Sequence, residues 1–350
     1  MITAISDMPV IDFYTYPAIG RDDWRYTFQT ARVRALETQM LSGAILSDMA
    51  AAEDFSQAAE LLSSSEYSLS AESKNTGRFE NVLLAKRDAV RQLFAELMID
   101  EEIVFLFKSR TDFVNLRLAL RRLMTEKTLG TDYGSDGNFP AEEIEKAFES
   151  QEKEYIGEFA LPEYMAEAAE TAILAYYQNK DIRQIDYAID VAQNNYNLTR
   201  AGQLKGEFLL ALFRIQTDLT NIRTMLRVKF SELDVHNIFL EGGYVPAEVF
   251  EDSLHMELDV TEAGFFPTPY YDIVDRGSSY LKANKSFLKA EQQCEDYFYG
   301  FLRTTSQITA GPQPVIAYLL LKEAEIRKVR FILTARKHWI DKRLILDRIS

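Results

Sequence analysis

The 350-residue chain contains a single cysteine, Cys294, so no disulfide closes within it and a reducing compartment is its natural setting. Its three histidines, His236, His255 and His338, never occur at Glu-x-x-His or His-x-x-x-His spacing, so no helical face offers two imidazole-based ligands to a metal. Positive charge is also scarce: 39 bases against 54 acids leave a net charge of -15, which repels a phosphate backbone and excludes nucleic acid as a partner. No apolar run approaches the roughly 20 residues that span a bilayer. Val315 to Leu321 is among the longest, and no direct membrane span is expected. The first ten residues hold Asp7 and Pro9 and no base, unlike a secretory signal, so a cytoplasmic location is expected.

Nucleotide signatures are missing too. Neither Gly-x-x-x-x-Gly-Lys-Ser/Thr nor Gly-x-Gly-x-x-Gly occurs. The only adjacent aspartate pair, Asp22-Asp23, runs into Trp24, Arg25 and Tyr26 and does not make the magnesium-holding cluster of isoprenoid synthases. The stretch from Asp132 to Glu143 places acids and glycine at positions 1, 5, 6 and 12 of a calcium loop. Position 3, however, is Gly134, so the stretch reads as a junction turn entering a helix. Cys294 reads as a small core residue. No catalytic residue, cofactor or metal is expected.

What is present is helical. Nine prolines leave long proline-free runs at 18–139, 163–245, 270–311 and 315–350, and within them apolar residues recur at helical spacing, as in Leu83, Leu84, Val90, Leu93, Phe94 and Leu97. The fold class is all-α. Gly130, Gly134, Gly137 and Pro140 break the chain once, and Gly242, Gly243 and Pro246 break it again; each cluster leads into an acid-rich helix start.

The chain also repeats itself. Asp112-Phe113-Val114-Asn115-Leu116-Arg117 recurs 106 residues on as Asp218-Leu219-Thr220-Asn221-Ile222-Arg223, and at the same offset Gly137-Asn138-Phe139-Pro140-Ala141-Glu142 recurs as Gly243-Tyr244-Val245-Pro246-Ala247-Glu248. A weaker third copy follows 107 residues later, with Glu325, Lys328 and Arg330 in the places of the acid, the Asn and the Arg. Positions one, four and eight after each acid are apolar, which makes a buried stripe on a helix. The charged members have two readings, packing and ion pairs inside each bundle or contact with a partner. A period this long is a duplicated small domain rather than a solenoid unit. The expected organisation is a lead-in at 1–22 and three tandem helical bundles at 23–136, 137–242 and 243–350. The glutamate-rich 139–170 and the base-rich 322–348 give the chain two helical regions of opposite charge, read as solvated faces or as a means of orienting it between two partners.

With those residues in view, the chain resembles the C subunits of the V/A-type ATPases and ATP synthases, whose eukaryotic relative is the d subunit. The resemblance rests on the helix Trp24 to Glu37 with its Ala31-Arg32-Val33-Arg34 core, on the twice-used Asp-x-x-Asn-aliphatic-Arg helices, on Phe239 to Gly243, and on Lys322-Glu323-x-Glu325. It implies a funnel of three bundles in pseudo-threefold arrangement, without catalytic residues. It also implies a mechanical role in the central stalk, bound to the shaft subunits of the ATPase head and to the membrane rotor ring, and peripheral to the membrane through that ring. An all-α adaptor or scaffold unrelated to rotary enzymes is the alternative, and an unrecognised all-α enzyme a third. The first 22 residues extend beyond the family's usual start.

Overall fold

The computed structural model describes residues 11–69, 78–125, 133–149, 161–231 and 238–349, and everything regular among them is helical. The chain forms two compact units. One, the middle unit, comprises 100–224 and 233–252; the other, the terminal unit, comprises 1–99, 225–232 and 253–350. No helix among the described residues is long and apolar enough to cross a membrane.

The middle unit is built on α5 (Glu101–Thr125), α6 (Ala141–Glu149), α7 (Glu163–Asn179) and α8 (Arg183–Gln203), with the first part of α9 (Glu207–Ser231) and most of α10 (Ala247–Leu254). Glycine and proline set the helix starts as the sequence leads one to expect: Pro140, Pro162 and Pro246 each stand immediately before a helix, where a missing N–H costs nothing. The stripe Phe113, Leu116 and Leu120 of α5 is fully buried, against Ile144 and Phe148 of α6, Met165 and Ala169 of α7, and Ile185 and Ile189 of α8. The expected repeat boundary at 136/137 lies inside this core, because the stripe is covered by helices that follow it in sequence. Small residues on the facing helices, Ala168, Ala172 and Ala188, let α7 and α8 run close together.

Within the terminal unit, α13 (Pro312–Lys337) is the central element, buried on nearly every side. Around it pack α1 (Thr27–Glu37), α2 (Gly43–Ala51), α3 (Phe55–Glu60), α4 (Phe79–Leu97) and α12 (Leu288–Arg303). The C-terminal α14 (Lys342–Ile349) joins α2 and α12, while α11 (Tyr271–Asn284) pairs with α12. Local caps explain where the N-terminal helices begin: the Ser42 hydroxyl accepts from Ile45 N–H at 3.3 Å and the Asp54 carboxylate from Gln57 N–H at 2.9 Å. Phe79, Leu83, Val90, Phe94 and Leu97 line the buried face of α4. The expected third bundle, 243–350, is therefore not self-contained. Its residues from 253 onward share a compact unit with 1–99, because α13 takes its apolar cover from α1 to α4.

Residues 11–22 of the lead-in form a strap. The Tyr16 ring sits 5.1 Å from Tyr297 and 6.2 Å from Phe301, the Tyr297 hydroxyl donates to Thr15 O at 2.6 Å, and the Asp22 carboxylate accepts from Thr309 N–H at 2.8 Å. Gly300 makes room for it, since a Cβ there would collide with the Tyr16 hydroxyl.

Candidate functional site: acid clamps on the repeat helices

Each repeat acid is buried, and each accepts a backbone N–H two residues before a short helix. On α5, Asp112 Oδ1 accepts from Phe139 N–H at 3.1 Å, and its Oδ2 takes the Asn138 amide at 3.0 Å and the Tyr164 hydroxyl at 2.7 Å. On α9, Asp218 Oδ1 accepts from Val245 N–H at 3.1 Å and Oδ2 from Tyr244 N–H at 3.0 Å. On α13, Glu325 Oε2 accepts from Leu41 N–H at 2.6 Å. Phe139, Val245 and Leu41 stand at the same distance ahead of α6, α10 and α2. A buried carboxylate that accepts several donors is a strong, charge-assisted anchor. The glycines at 137 and 243 allow the close approach, because a Cβ at either would collide with Oδ1 of Asp112 or Asp218.

The asparagines form a second tie. The Asn115 amide donates to Gly134 O at 2.9 Å and accepts from Gly134 N–H at 2.8 Å; Asn221 does the same with Leu240, both bonds at 2.8 Å. A side-chain amide thus stands in for a neighbouring backbone and satisfies both groups of one loop residue. In the third copy Lys328 replaces the Asn, and its ammonium lies 5.5 Å from the Tyr299 ring centroid, so that copy has no amide tie. The apolar stripe is buried in all three helices, including Leu219, Ile222 and Leu226 and then Ile326, Val329 and Leu333.

The arginines go elsewhere. Arg117 pairs with Asp190 of α8, and Arg330 pairs with Glu80 of α4 at 2.7 Å. Arg223 is half-buried on α9. Around Glu325 the terminal unit gathers a charged network that sequence reasoning did not find. Lys322, 1% exposed, pairs with both Glu66 and Glu325, and its ammonium lies 5.0 Å from the centroid of the Tyr67 ring. Tyr67 donates its hydroxyl to Glu325 Oε1 at 2.6 Å. Burial, and after it the Glu325 carboxylate, holds the Tyr67 hydroxyl far above the ordinary tyrosine range. Tyr318 is pushed up to about 12 by burial and then by Glu66, Glu325 and Glu37. In the middle unit burial likewise raises Tyr164, with the hydrogen bond to Asp112 adding to it.

These sites tie each clamp helix, through a side chain, to the backbone just ahead of a short helix. Cys294 is buried; His255 and His338 are exposed, and His236 lies outside the described residues. Among the described residues no three His, Cys, Asp or Glu side chains gather as a metal site. Of the stretch weighed as a calcium loop, Asp132 lies outside the described residues and Gly134 is held by Asn115.

The sequence model of the ATP synthase (C/AC39) subunit family matches residues 29–348, a span that contains all three clamp helices. The chain belongs to that family. Among its relatives, the C subunit of the V-type sodium ATPase of Enterococcus hirae is 22% identical over 324 residues, covering 91% of this chain and 95% of the relative. The C subunit of the A-type ATP synthase of Pyrococcus abyssi is 23% identical over 348 residues, 95% of this chain and 93% of its own. That of Methanobrevibacter smithii is 26% identical over 190 residues, 51% of this chain and 46% of the relative. The strap of residues 11–22 precedes the family match.

Proposed function

We propose that this member of the C/AC39 family is the non-catalytic connector of a V/A-type rotary ATPase, joining the central shaft of the ATPase head to the membrane rotor ring. The observation that carries the reading is the match across 29–348, together with V-type and A-type relatives aligned over nearly their whole length. Its partners are then the shaft subunits and the ring subunits, and its place is the cytoplasmic face, peripheral to the membrane through the ring. The clamps support a mechanical role: a torque carrier needs junctions that do not yield, and buried carboxylates that fix the residues ahead of each short helix stiffen the places where a helical chain bends most readily. The same clamp recurs on three helices, in keeping with three copies of one design. Each runs from a clamp helix into the junction it holds, and the third closes across the two ends of the chain.

The test is reconstitution of the rotary complex with and without the chain. ATP hydrolysis by the head is expected to continue without it, while ATP-driven ion transport stops and returns when the chain is added back. Normal coupling in its absence overturns the proposal, as does its location on a stationary stalk.

A further inference from the structure

The bases of 322–348 divide into two groups. Arg330 pairs with Glu80, Arg348 with Glu295, and Lys322 with Glu66 and Glu325, all inside the terminal unit. Lys342 and Arg343 close no side-chain ion pair among the described residues. They stand at the corner between α13 and α14, where eight consecutive residues, 337–344, are all exposed. The same corner carries Trp339 at 77% exposure, Ile340 at 43% and Leu344 at 46%. Large apolar side chains gathered on a projecting turn mark a contact surface.

The backbone of the corner is built to hold that ring outward. Helix α13 ends in a Schellman turn, with Trp339 N–H donating to Arg336 O at 3.3 Å and Ile340 N–H to Ala335 O at 3.0 Å. Trp339 holds the left-handed position of this turn at φ 56°, a conformation that glycine adopts freely and a bulky residue rarely does. The buried Arg336 fixes the turn from beneath, its guanidinium donating to Ala52 O at 2.9 Å and to Ile340 O. Asp341, the one acid of the corner, accepts from Arg343 N–H at 2.7 Å and leads into α14, which is anchored by buried Ile345. The fold itself is better served by glycine at 339. Strain of this kind persists where a contact makes use of it.

We propose that this corner inserts Trp339 into the headgroup layer of an anionic phospholipid bilayer, with Ile340 and Leu344 beside the ring and Lys342 and Arg343 on the lipid phosphates. Two features select a lipid surface over a protein. A tryptophan between proteins needs a pocket in the partner that encloses it, whereas the headgroup layer receives a convex corner and favours an indole flanked by bases. Charge complementarity is local: a chain of net charge -15 is repelled by an anionic surface, so approach favours a corner where bases outnumber acids. The assignment does not rest on the rotary reading, because every residue in it belongs to the corner.

The test uses the full chain carrying Trp24→Phe, which leaves Trp339 as its one tryptophan. Titrated at low ionic strength with vesicles of equal parts phosphatidylserine and phosphatidylcholine, its emission should move to the blue as the ring leaves water, and added salt should reverse the shift. Vesicles of phosphatidylcholine alone should leave the emission unchanged. In co-sedimentation with the mixed vesicles, the pair Lys342→Gln and Arg343→Gln should weaken binding by about tenfold or more. Trp339→Gly should weaken it by a similar factor while melting at the same temperature or higher, since glycine suits the turn. The proposal is overturned by the absence of binding up to about 5 mM mixed lipid, by equal binding to neutral vesicles, by binding without a blue shift, or by binding indifferent to Trp339→Gly. A blue shift produced by soluble poly-glutamate and not by vesicles also overturns it, by making an acidic polypeptide the occupant.

Discussion

The clamps of the middle unit and the clamp of the terminal unit do the same job with different means. Asp112 and Asp218 reach an N–H 27 residues further along the chain, whereas Glu325 reaches Leu41 across 284 residues. The short closures need little else: a glycine for clearance, an aspartate, and an asparagine tie next to it. Closing the long loop costs more conformational entropy, although the cost grows only logarithmically with length. In the terminal unit the acid also serves as counter-ion to a buried lysine, and Tyr67 completes the cluster. A local junction is thus held by hydrogen bonds, and a junction between distant segments by hydrogen bonds plus buried charge.

The largest effect should come from the charged clamp. Glu325→Ala leaves Lys322 buried with Glu66 as its remaining acid and frees Leu41 N–H, and we expect a loss of about 3 to 5 kcal/mol in denaturant unfolding. Adding Lys322→Met should recover much of it, because the stranded charge is gone. If the double variant is no more stable than the single, charge compensation is not what distinguishes the two kinds of clamp.

For the local clamp the expected loss is smaller. Asp218→Ala should cost about 1 to 3 kcal/mol by leaving the Tyr244 and Val245 N–H groups without their acceptor. Gly243→Ala should cost a similar amount through the collision of its Cβ with the carboxylate. Combined, the two substitutions should cost clearly less than their sum, since the alanine then has no carboxylate to strike. Strict additivity would show that Gly243 is required for some other reason.

The smallest effect is in the pH dependence. Tyr67 is held above its usual value of 10.0 in the fold, first by burial and then by Glu325. The unfolded chain therefore gives up this proton before the folded one does. Its contribution is complete below pH 10 and is lost as pH rises beyond it, by about 1.4 kcal/mol per pH unit. Tyr67→Phe should be less stable near neutrality and show a shallower alkaline decline, so the two stability curves converge above pH 10. Parallel curves would mean that Tyr67 titrates alike in both states.

Much of this was legible from residues alone. Pro140 and Pro246 marked helix starts because proline fits only the first turn, and the apolar stripes were readable because period 3.6 brings them onto one face. The repeat acids and asparagines were visible as a pattern, but their targets were not. Phe139, Val245, Gly134 and Leu240 take part through their backbones, which every residue type possesses. Gly137 and Gly243 read as chain breakers, whereas their use is clearance for a carboxylate. Boundaries are harder to read for the same reason: a helix with one apolar stripe does not say whether preceding or following residues cover it, and the stripe of α5 packs on α6, α7 and α8. Nothing in the sequence joined Leu41 and Tyr67 to Glu325, or Tyr16 to Gly300, since these contacts arise only once distant helices pack.

The bond between Leu41 and Glu325 also bears on how the protein is made. At ribosomal rates of about 5 to 20 residues per second, the acid emerges roughly 15 to 60 s after the amide it will bind. During that time α1 to α3 wait without the helix that covers them, while all of the middle unit up to residue 252 is completed. Synthesis therefore sets an order of assembly in which the first helices to leave the ribosome are among the last to be buried.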